Sequence, residues 1–296
     1  MKPPIGNWKL PPIRDLPPYA AADAAFRLFC EPAKSERRSA DHGTLCQRAR
    51  YHLRNAEWRR LETAGGSIQT YTFLPDTPAP RGTVLLVHGW TSEASFMTAM
   101  VEPLRRSGFR VCLFDFPAHG LSSGRRVNLA DCARALLWIC EALHPIDAIV
   151  AHSFGGVVAL WVGEGGPPLP RRYTVSKYVL ISCPNRFTEV TREFARHHGL
   201  AEPARRAYEH RLERVGHRPL DTFTAANLLA ANGRPALLIH ARDDTEVPIS
   251  NAREIAAAVK GTELVEFDGL GHRNVLFAPP VMRLVMNGLS HDTGSP

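Results

Sequence analysis

Short apolar runs alternate with amphipathic stretches along most of this chain. Unbroken apolar runs of strand length are typical of strands covered on both faces, as in a parallel sheet. We predict strands at 67–73, 83–87, 111–114, 146–150, 178–181, 236–239 and 264–267. We predict helices between them at 96–107, 129–143, 154–162 and 250–259. This alternation indicates an α/β protein with a mostly parallel sheet flanked by helices.

The stretch 185–233 interrupts the alternation. It contains three helical patterns, at 186–198, 203–215 and 220–231, whereas a simple crossover between strands needs far fewer residues. An insertion here would lie over the carboxyl ends of the strands, where α/β sheets bind ligands. We interpret it as a short helical lid; a purely structural elaboration is the alternative.

The first 66 residues are predicted to form an N-terminal helical arm. Prolines are frequent at 3–18, Tyr19–Cys30 predicts a short helix, and Thr44–Glu62 has a basic helical pattern. The predicted organisation is an arm at 1–66, a core formed by 67–184 and 234–296, and the lid at 185–233.

Most of the net charge of +7 lies in the arm, which holds 12 Lys and Arg against 7 Asp and Glu. No nucleic-acid recognition motif accompanies this charge, so we predict no nucleic-acid partner. Contact with an anionic membrane surface is compatible with the charge, but a solvated Arg-rich surface is the favoured interpretation. The sequence does not indicate an oligomeric state.

Composition is typical of a soluble globular protein, with 44% hydrophobic and 22% charged residues, and we predict a cytoplasmic location. No apolar run reaches the roughly 18 residues that span a bilayer, and Met1–Pro4 lacks the apolar region of a signal peptide. We expect all six cysteines to be reduced thiols. No Cys/His cluster suggests a metal site, and we predict no cofactor.

A lone serine, Ser153, stands between the strand at 146–150 and the helix at 154–162, with small residues around it. Such a tight turn exposes the hydroxyl and aims the next backbone N–H, that of Phe154, at the group under attack. This arrangement is the nucleophile elbow, usually G-x-S-x-G. Here Ala151 replaces the first glycine, which is a mild departure because the position needs a small side chain.

An acid and a histidine follow Ser153 in chain order. A serine hydroxyl needs an adjacent base, usually a histidine held by a carboxylate. Asp244 follows the strand at 236–239, and His272 follows the strand at 264–267 in a glycine-rich turn. Because parallel strands end at one edge of the sheet, we predict that Ser153, Asp244 and His272 form a catalytic triad.

The loop His88-Gly89-Trp90 follows the strand at 83–87. The backbone N–H groups of Trp90 and Phe154 are predicted to form an oxyanion hole. His88 is a rival base, but we expect it to stabilise its loop. We expect His152 to point away from the reacting group.

With these motifs in place, the chain resembles an α/β-hydrolase-fold serine hydrolase over about residues 67–288. The segment Asp115–Ser122 is similar to the D-x-x-G-H-G-x-S loop of monoacylglycerol lipase and lysophospholipase-like members, with Ala118 replacing a glycine. We expect Asp115 and His119 to shape this loop rather than to take part in chemistry.

The loop before the predicted catalytic histidine resembles the family pattern G-x-x-D-x-x-V-P, with Ala241 at the glycine. This register selects Asp244 and leaves Asp243 as a flanking residue. Dehalogenases and most epoxide hydrolases of the fold place Asp where Ser153 stands, so the resemblance disfavours those activities.

The resemblance implies an esterase or lipase-like enzyme that cleaves a small-molecule carboxylic ester through an acyl-enzyme. The lid's apolar helix faces, its eight arginines and the bulky Trp90 favour a short to medium acyl chain. A thioesterase or a C–C bond hydrolase on the same triad is an alternative. So is a non-catalytic ligand-binding protein, although such a protein has no need of the complete set of residues.

Overall fold

An eight-stranded sheet lies at the centre of the molecule. The computed structural model describes residues 12–33 and 47–290. The strands are β1 Glu57–Thr63, β2 Gly66–Phe73, β3 Gly82–Val87, β4 Phe109–Phe114, β5 Ala148–His152, β6 Lys177–Ile181, β7 Ala236–Ala241 and β8 Glu263–Phe267. Their order across the sheet is β1-β2-β4-β3-β5-β6-β7-β8. The β1–β2 and β2–β4 pairs are antiparallel, and the remaining pairs are parallel.

Helices cover both faces of this sheet, which confirms the predicted fold class. They are α1 Pro18–Phe29, α2 at 47–52, α3 Val101–Arg106, α4 Leu129–Ala142, α5 Phe154–Glu164, α6 Phe187–His197, α7 Glu202–Gly216, α8 Ala225–Asn232, α9 Ser250–Ala258, α10 Gly271–Asn274 and α11 Pro279–Ser290. Alternate strand side chains enter two separate hydrophobic cores. Leu85 and Val87 of β3 pack with α4, α5 and α8, whereas Val84 and Leu86 pack with α3 and α11.

The helical pattern predicted at Thr44–Glu62 is wrong over its second half. The helix ends at residue 52, and Glu57–Thr63 forms the edge strand β1; residues 44–46 lie outside the described part of the chain. Strand β1 pairs with β2 along its whole length, and the ring of Trp58 packs edge-on against Tyr71 at 5.0 Å. This pairing overrides the local helical preference.

The sheet therefore begins within the stretch that the sequence assigned to the arm. The division of the chain into arm, core and lid stays a prediction. The helix predicted at Tyr19–Cys30 is present as α1.

The predicted lid contains α6, α7 and α8, which differ in their packing. Leu228 and Leu229 of α8 are buried in the same core as α4 and α5. Helices α6 and α7 instead pack with α1 around a separate set of buried residues, which we call the lid cluster. Its members are Ala22, Ala25, Ala195, Tyr208, Leu212 and Leu220.

The described cysteines are all free and buried, and Cys46 lies outside the described residues. Within 12–33 and 47–290, no helix combines the length and the apolar character needed to cross a membrane. The cytoplasmic location stays a prediction.

Gly155 lies where α5 meets β3, and a substitution at this position tests the fold. A β-carbon at this position would lie 2.5 Å from the His88 carbonyl oxygen and 2.9 Å from that of Val87. Because these are backbone atoms of the central sheet, we expect Gly155→Ala to lower the free energy of unfolding by about 1–3 kcal/mol. Urea denaturation measures this loss.

The matched control is Gly216→Ala, since a β-carbon at Gly216 meets no atom of the described chain within 4 Å. Equal unfolding free energies for the two variants would contradict the close approach of α5 to β3.

Candidate active site

Ser153 is the single residue between β5 and α5. Its φ of 51° lies in the left-handed region, where a residue other than glycine is strained by about 1–3 kcal/mol. The Ser153 N–H donates to the Ile181 carbonyl at 2.8 Å, and the Ser153 carbonyl accepts from the Gly156 N–H at 2.9 Å. Its hydroxyl has no hydrogen-bond partner among the described residues. The turn thus presents an unengaged hydroxyl at the carboxyl edge of the sheet.

Asp244 and His272 form a hydrogen bond at the same edge. Asp244 follows β7, His272 lies in α10 after β8, and Asp244 Oδ2 is 2.8 Å from His272 Nδ1. The other carboxylate oxygen accepts from the backbone N–H groups of Glu246 at 2.9 Å and Val247 at 2.8 Å. With Nδ1–H donated to Asp244, Nε2 of His272 is the ring nitrogen left to accept a proton.

The surroundings of Asp244 keep its buried carboxylate ionised. Burial raises the pKa of Asp244, but hydrogen bonds from His240, His272 and the Val247 N–H outweigh burial and hold the pKa well below its ordinary value. The stabilisation that this ionised carboxylate adds to the fold is therefore present at neutral pH. It is lost only as the pH falls below the unfolded-state pKa of about 3.9.

His240 belongs to this site, although the sequence analysis did not identify it. It lies in β7, is only 1% exposed, and its Nε2 is 2.8 Å from the Val247 carbonyl oxygen and 3.4 Å from Asp244 Oδ2. His240 thus braces the loop that carries Asp244. The sequence feature that indicates this role is a histidine near the end of an otherwise apolar strand.

The backbone N–H groups of Trp90 and Phe154 have no acceptor among the described residues. Phe154 is the first residue of α5, where the helix leaves its N–H groups unpaired and carries a partial positive charge. Trp90 lies in the loop after β3, and its ring packs against Phe154 at 5.2 Å. Both donors are therefore available to an oxyanion.

Buried polar groups hold the loop that carries Trp90. His119 Nε2 accepts from the Thr91 N–H at 3.2 Å, and the His119 ring packs against Trp90 at 5.0 Å. Asp115 accepts from Tyr71 Oη at 2.9 Å and from the Ala94 N–H at 2.8 Å. Burial raises the pKa of Asp115 to about 6 and lowers that of His119 to about 4. Both side chains shape loops, as expected.

His88 and His152, which lie near Ser153 in the fold, are hydrogen-bonded elsewhere. His88 Nδ1 lies 2.8 Å from the Gly89 carbonyl oxygen, and its Nε2 accepts from the Phe116 N–H at 2.9 Å. Burial, with His119 nearby, holds the pKa of His88 well below its ordinary value. His152 Nε2 lies 2.9 Å from the His272 carbonyl oxygen, and burial lowers the pKa of His152 to about 3. Neither ring is placed to serve as the base.

Ser153 and His272 line two cavities. The first, of about 230 Å³, extends under the lid helices and is lined mainly by apolar side chains from α1, α5, α6 and α7. The second, of about 440 Å³, lies between the loop 89–92 and residues 272–277. The ion pair of Glu246 and Arg273, at 2.9 Å, borders this second cavity. A group bound at Ser153 can therefore extend in two chemically different directions.

The alpha/beta hydrolase family model matches residues 84–282, well over half of the sequence, so this chain belongs to that family. Solved structures with the same fold include Est1E from Butyrivibrio proteoclasticus, at 15% identity and a TM-score of 0.61 over 79% of this chain and 99% of that one. They also include the Pyrococcus furiosus esterase Pf2001, at 21% identity and a TM-score of 0.58 over 81% and 93%.

Curated relatives match a shorter segment. A monoacylglycerol lipase of Mycolicibacterium smegmatis is 33% identical over 101 residues, which cover 31% of this chain and 36% of the relative. Methylesterase 9 of Arabidopsis thaliana is 32% identical over 106 residues, covering 34% and 40%. The matched segments thus span less than half the length of these relatives.

Removing the hydrogen bond between Asp244 and His272 tests the site. If Asp244 orients the base that activates Ser153, Asp244→Asn should slow covalent labelling of Ser153 by a fluorophosphonate by orders of magnitude. The corresponding change in a comparable triad costs about 10⁴-fold in turnover. Labelling rates are read by gel fluorescence.

Asp243→Asn is the matched control, because Asp243 is exposed and, within the described part of the chain, accepts a hydrogen bond only from the Leu270 N–H at 3.2 Å. We expect it to label at nearly the unmodified rate. The reverse ranking would place the orienting carboxylate one residue earlier.

Proposed function

We propose that this protein is a serine hydrolase that cleaves small carboxylic esters through an acyl-enzyme intermediate. The observation that carries this proposal is the strained turn at Ser153. It presents an unengaged hydroxyl to the same cavities as His272, whose Nδ1 is bound to Asp244. The names of the two curated relatives, a monoacylglycerol lipase and a methylesterase, support the choice of an ester bond.

In the proposed mechanism, His272 Nε2 takes the proton of Ser153 as the hydroxyl attacks the ester carbonyl carbon. The N–H groups of Trp90 and Phe154 donate to the oxyanion of the tetrahedral intermediate. Asp244 orients the imidazole and stabilises its cation. The alcohol leaves with the proton from His272, and a water molecule, activated by the same histidine, releases the acid.

The two cavities suit the two parts of an ester. We assign the acyl chain to the apolar cavity under the lid helices, because a chain of methylenes gains about 0.8 kcal/mol per buried group there. The alcohol then occupies the second cavity, where the ion pair of Glu246 and Arg273 offers polar contacts.

The apolar cavity also supports a limit on acyl length. Its volume of about 230 Å³ is below the range of about 300–1,000 Å³ that is usual for sites of drug-sized ligands. Trp90 and Phe187 stand in its wall, and both rings are held by aromatic contacts: Trp90 with Phe154 at 5.2 Å and Phe187 with Phe223 at 5.6 Å. We therefore propose short to medium acyl chains, presented as soluble monoesters.

The first test of this function is Ser153→Ala. Removing the nucleophile should abolish hydrolysis of p-nitrophenyl butyrate without unfolding the protein, as followed by absorbance and circular dichroism. Ser176→Ala is the control, because Ser176 is exposed and lines neither cavity. Near-normal turnover by Ser153→Ala would exclude this residue as the nucleophile. Wild-type protein that neither turns over the ester nor labels with a fluorophosphonate would favour the ligand-binding alternative.

The second test is a series of p-nitrophenyl esters of increasing acyl length. We expect kcat/KM to rise by about fourfold per methylene, from the burial of about 0.8 kcal/mol, and to fall once the cavity is full. Emulsified triglyceride, assayed as a separate substrate, should be hydrolysed only slowly. A continued rise through long-chain esters, or activation at a lipid interface, would contradict the proposed limit.

A further inference from the structure

Helix α1, from the N-terminal part of the chain, forms part of the wall of the apolar cavity. Phe29, its last residue, and Cys30, which follows it, line the same cavity as Ser153 and His272. This cavity is also lined by residues of the lid helix α7, which packs against α1: Leu212, Val215 and Gly216. A segment that precedes the hydrolase core in the sequence therefore contributes directly to the site.

Several contacts fix α1 in this position. The Cys30 carbonyl accepts from the Val127 N–H at 2.8 Å, next to the ion pair of Arg126 and Glu31 at 3.1 Å. These contacts tie the end of α1 to the loop before α4. On the lid side, Asp23 of α1 forms an ion pair with Arg211 of α7. The helix is thus held by both the core and the lid.

The ring of Phe29 lies between the cavity and two aromatic side chains of the lid helices, Phe194 and Tyr208. It packs edge-on against Phe194 at 5.0 Å and against Tyr208 at 5.8 Å. Neither of these two residues lines the cavity. The boundary of the cavity on this side is therefore the Phe29 side chain itself, with a well-packed aromatic cluster behind it.

Glu246 and Arg218 also line this cavity, and each is in an ion pair; Glu246 pairs with Arg273 at 2.9 Å. Arg218 lines the cavity, but its guanidinium forms two hydrogen bonds to the Glu164 carboxylate, at 2.7 and 3.1 Å, and lies over the Phe223 ring at 5.4 Å. Arg218 therefore does not attract a second carboxylate. This part of the cavity suits an uncharged hydrocarbon chain.

We propose that Phe29 is a specificity-determining residue that limits the preferred length of the acyl chain. Helix α1 and the lid helices together then determine which acyl chains fit the cavity. This inference rests on the proposed ester hydrolysis. Removing the Phe29 ring extends the cavity towards Phe194 and Tyr208, and enlarging the ring shortens the cavity. The two changes move the preferred acyl length in opposite directions, which a general loss of stability cannot do.

The experiment compares Phe29→Ala and Phe29→Trp in the full chain with the p-nitrophenyl ester series. We expect Phe29→Ala to make room for about two more methylenes, each worth about fourfold in kcat/KM. The variant should therefore raise kcat/KM for an ester about two methylenes longer than the wild-type optimum, relative to that optimum, by about tenfold or more. Phe29→Trp moves the optimum to a shorter chain. Phe29→Leu is a milder variant that moves the optimum in the same direction as Phe29→Ala. It replaces Phe29→Ala in the experiment if Phe29→Ala fails to fold.

Phe26→Ala is the matched control. Phe26 lies on the same helix, has the same intermediate burial and packs against the same lid cluster, but it does not line the cavity. We expect Phe26→Ala to keep the wild-type optimum of acyl length, even where its melting temperature changes. Fluorophosphonate labelling of each variant reports whether Ser153 is still activated.

The outcomes separate the two proposals. A wild-type protein that neither labels nor hydrolyses any ester overturns the proposed function. A wild-type protein that hydrolyses the series, with Phe29 variants that keep its optimum or lose activity equally at all lengths, overturns the role of Phe29 alone. A shift in Phe26→Ala equal to that in Phe29→Ala would show that α1 acts only through its packing.

Discussion

Helix α5 can follow β5 only if its first turn touches the backbone of β3, and the candidate site is built on this contact. Gly155 has no room for a β-carbon beside the His88 carbonyl, and one at Gly156 would lie 2.7 Å from Cys183 Sγ. With two glycines here the helix starts immediately after Ser153, which is held at positive φ. The close approach therefore brings Ser153 and the N–H of Phe154 next to the end of β3, which leads to Trp90.

Buried polar side chains then align the neighbouring loops with this turn. Asp115, His119 and His88 each satisfy backbone N–H groups that loops at the sheet edge would otherwise leave unpaired. Burial keeps the two histidines neutral, so each ring can accept a hydrogen bond as well as donate one. In a region of low dielectric such bonds are strong, and they hold the Trp90 loop in place before any substrate arrives.

The N-terminal part of the chain contributes in two different ways. The strand β1 extends the sheet at an edge far from the site, whereas α1 crosses to the lid helices and closes the apolar cavity. The basic charge noted in the sequence is partly used in ion pairs such as Arg50 with Glu93 at 2.7 Å. The same stretch of sequence thus supports both the fold and the shape of the site.

The sequence by itself determined the strand and helix alternation, the turn at Ser153 and the loops that carry Asp244 and His272. These features depend on local patterns: apolar runs, small residues in a tight turn, and strand ends that share one edge. Only the tertiary structure decided that 57–63 is a strand, that His240 supports Asp244 and that Phe29 lines the cavity. Each of these rests on contacts between residues distant in sequence, and pairing or packing at long range overrides local preference without leaving a local pattern.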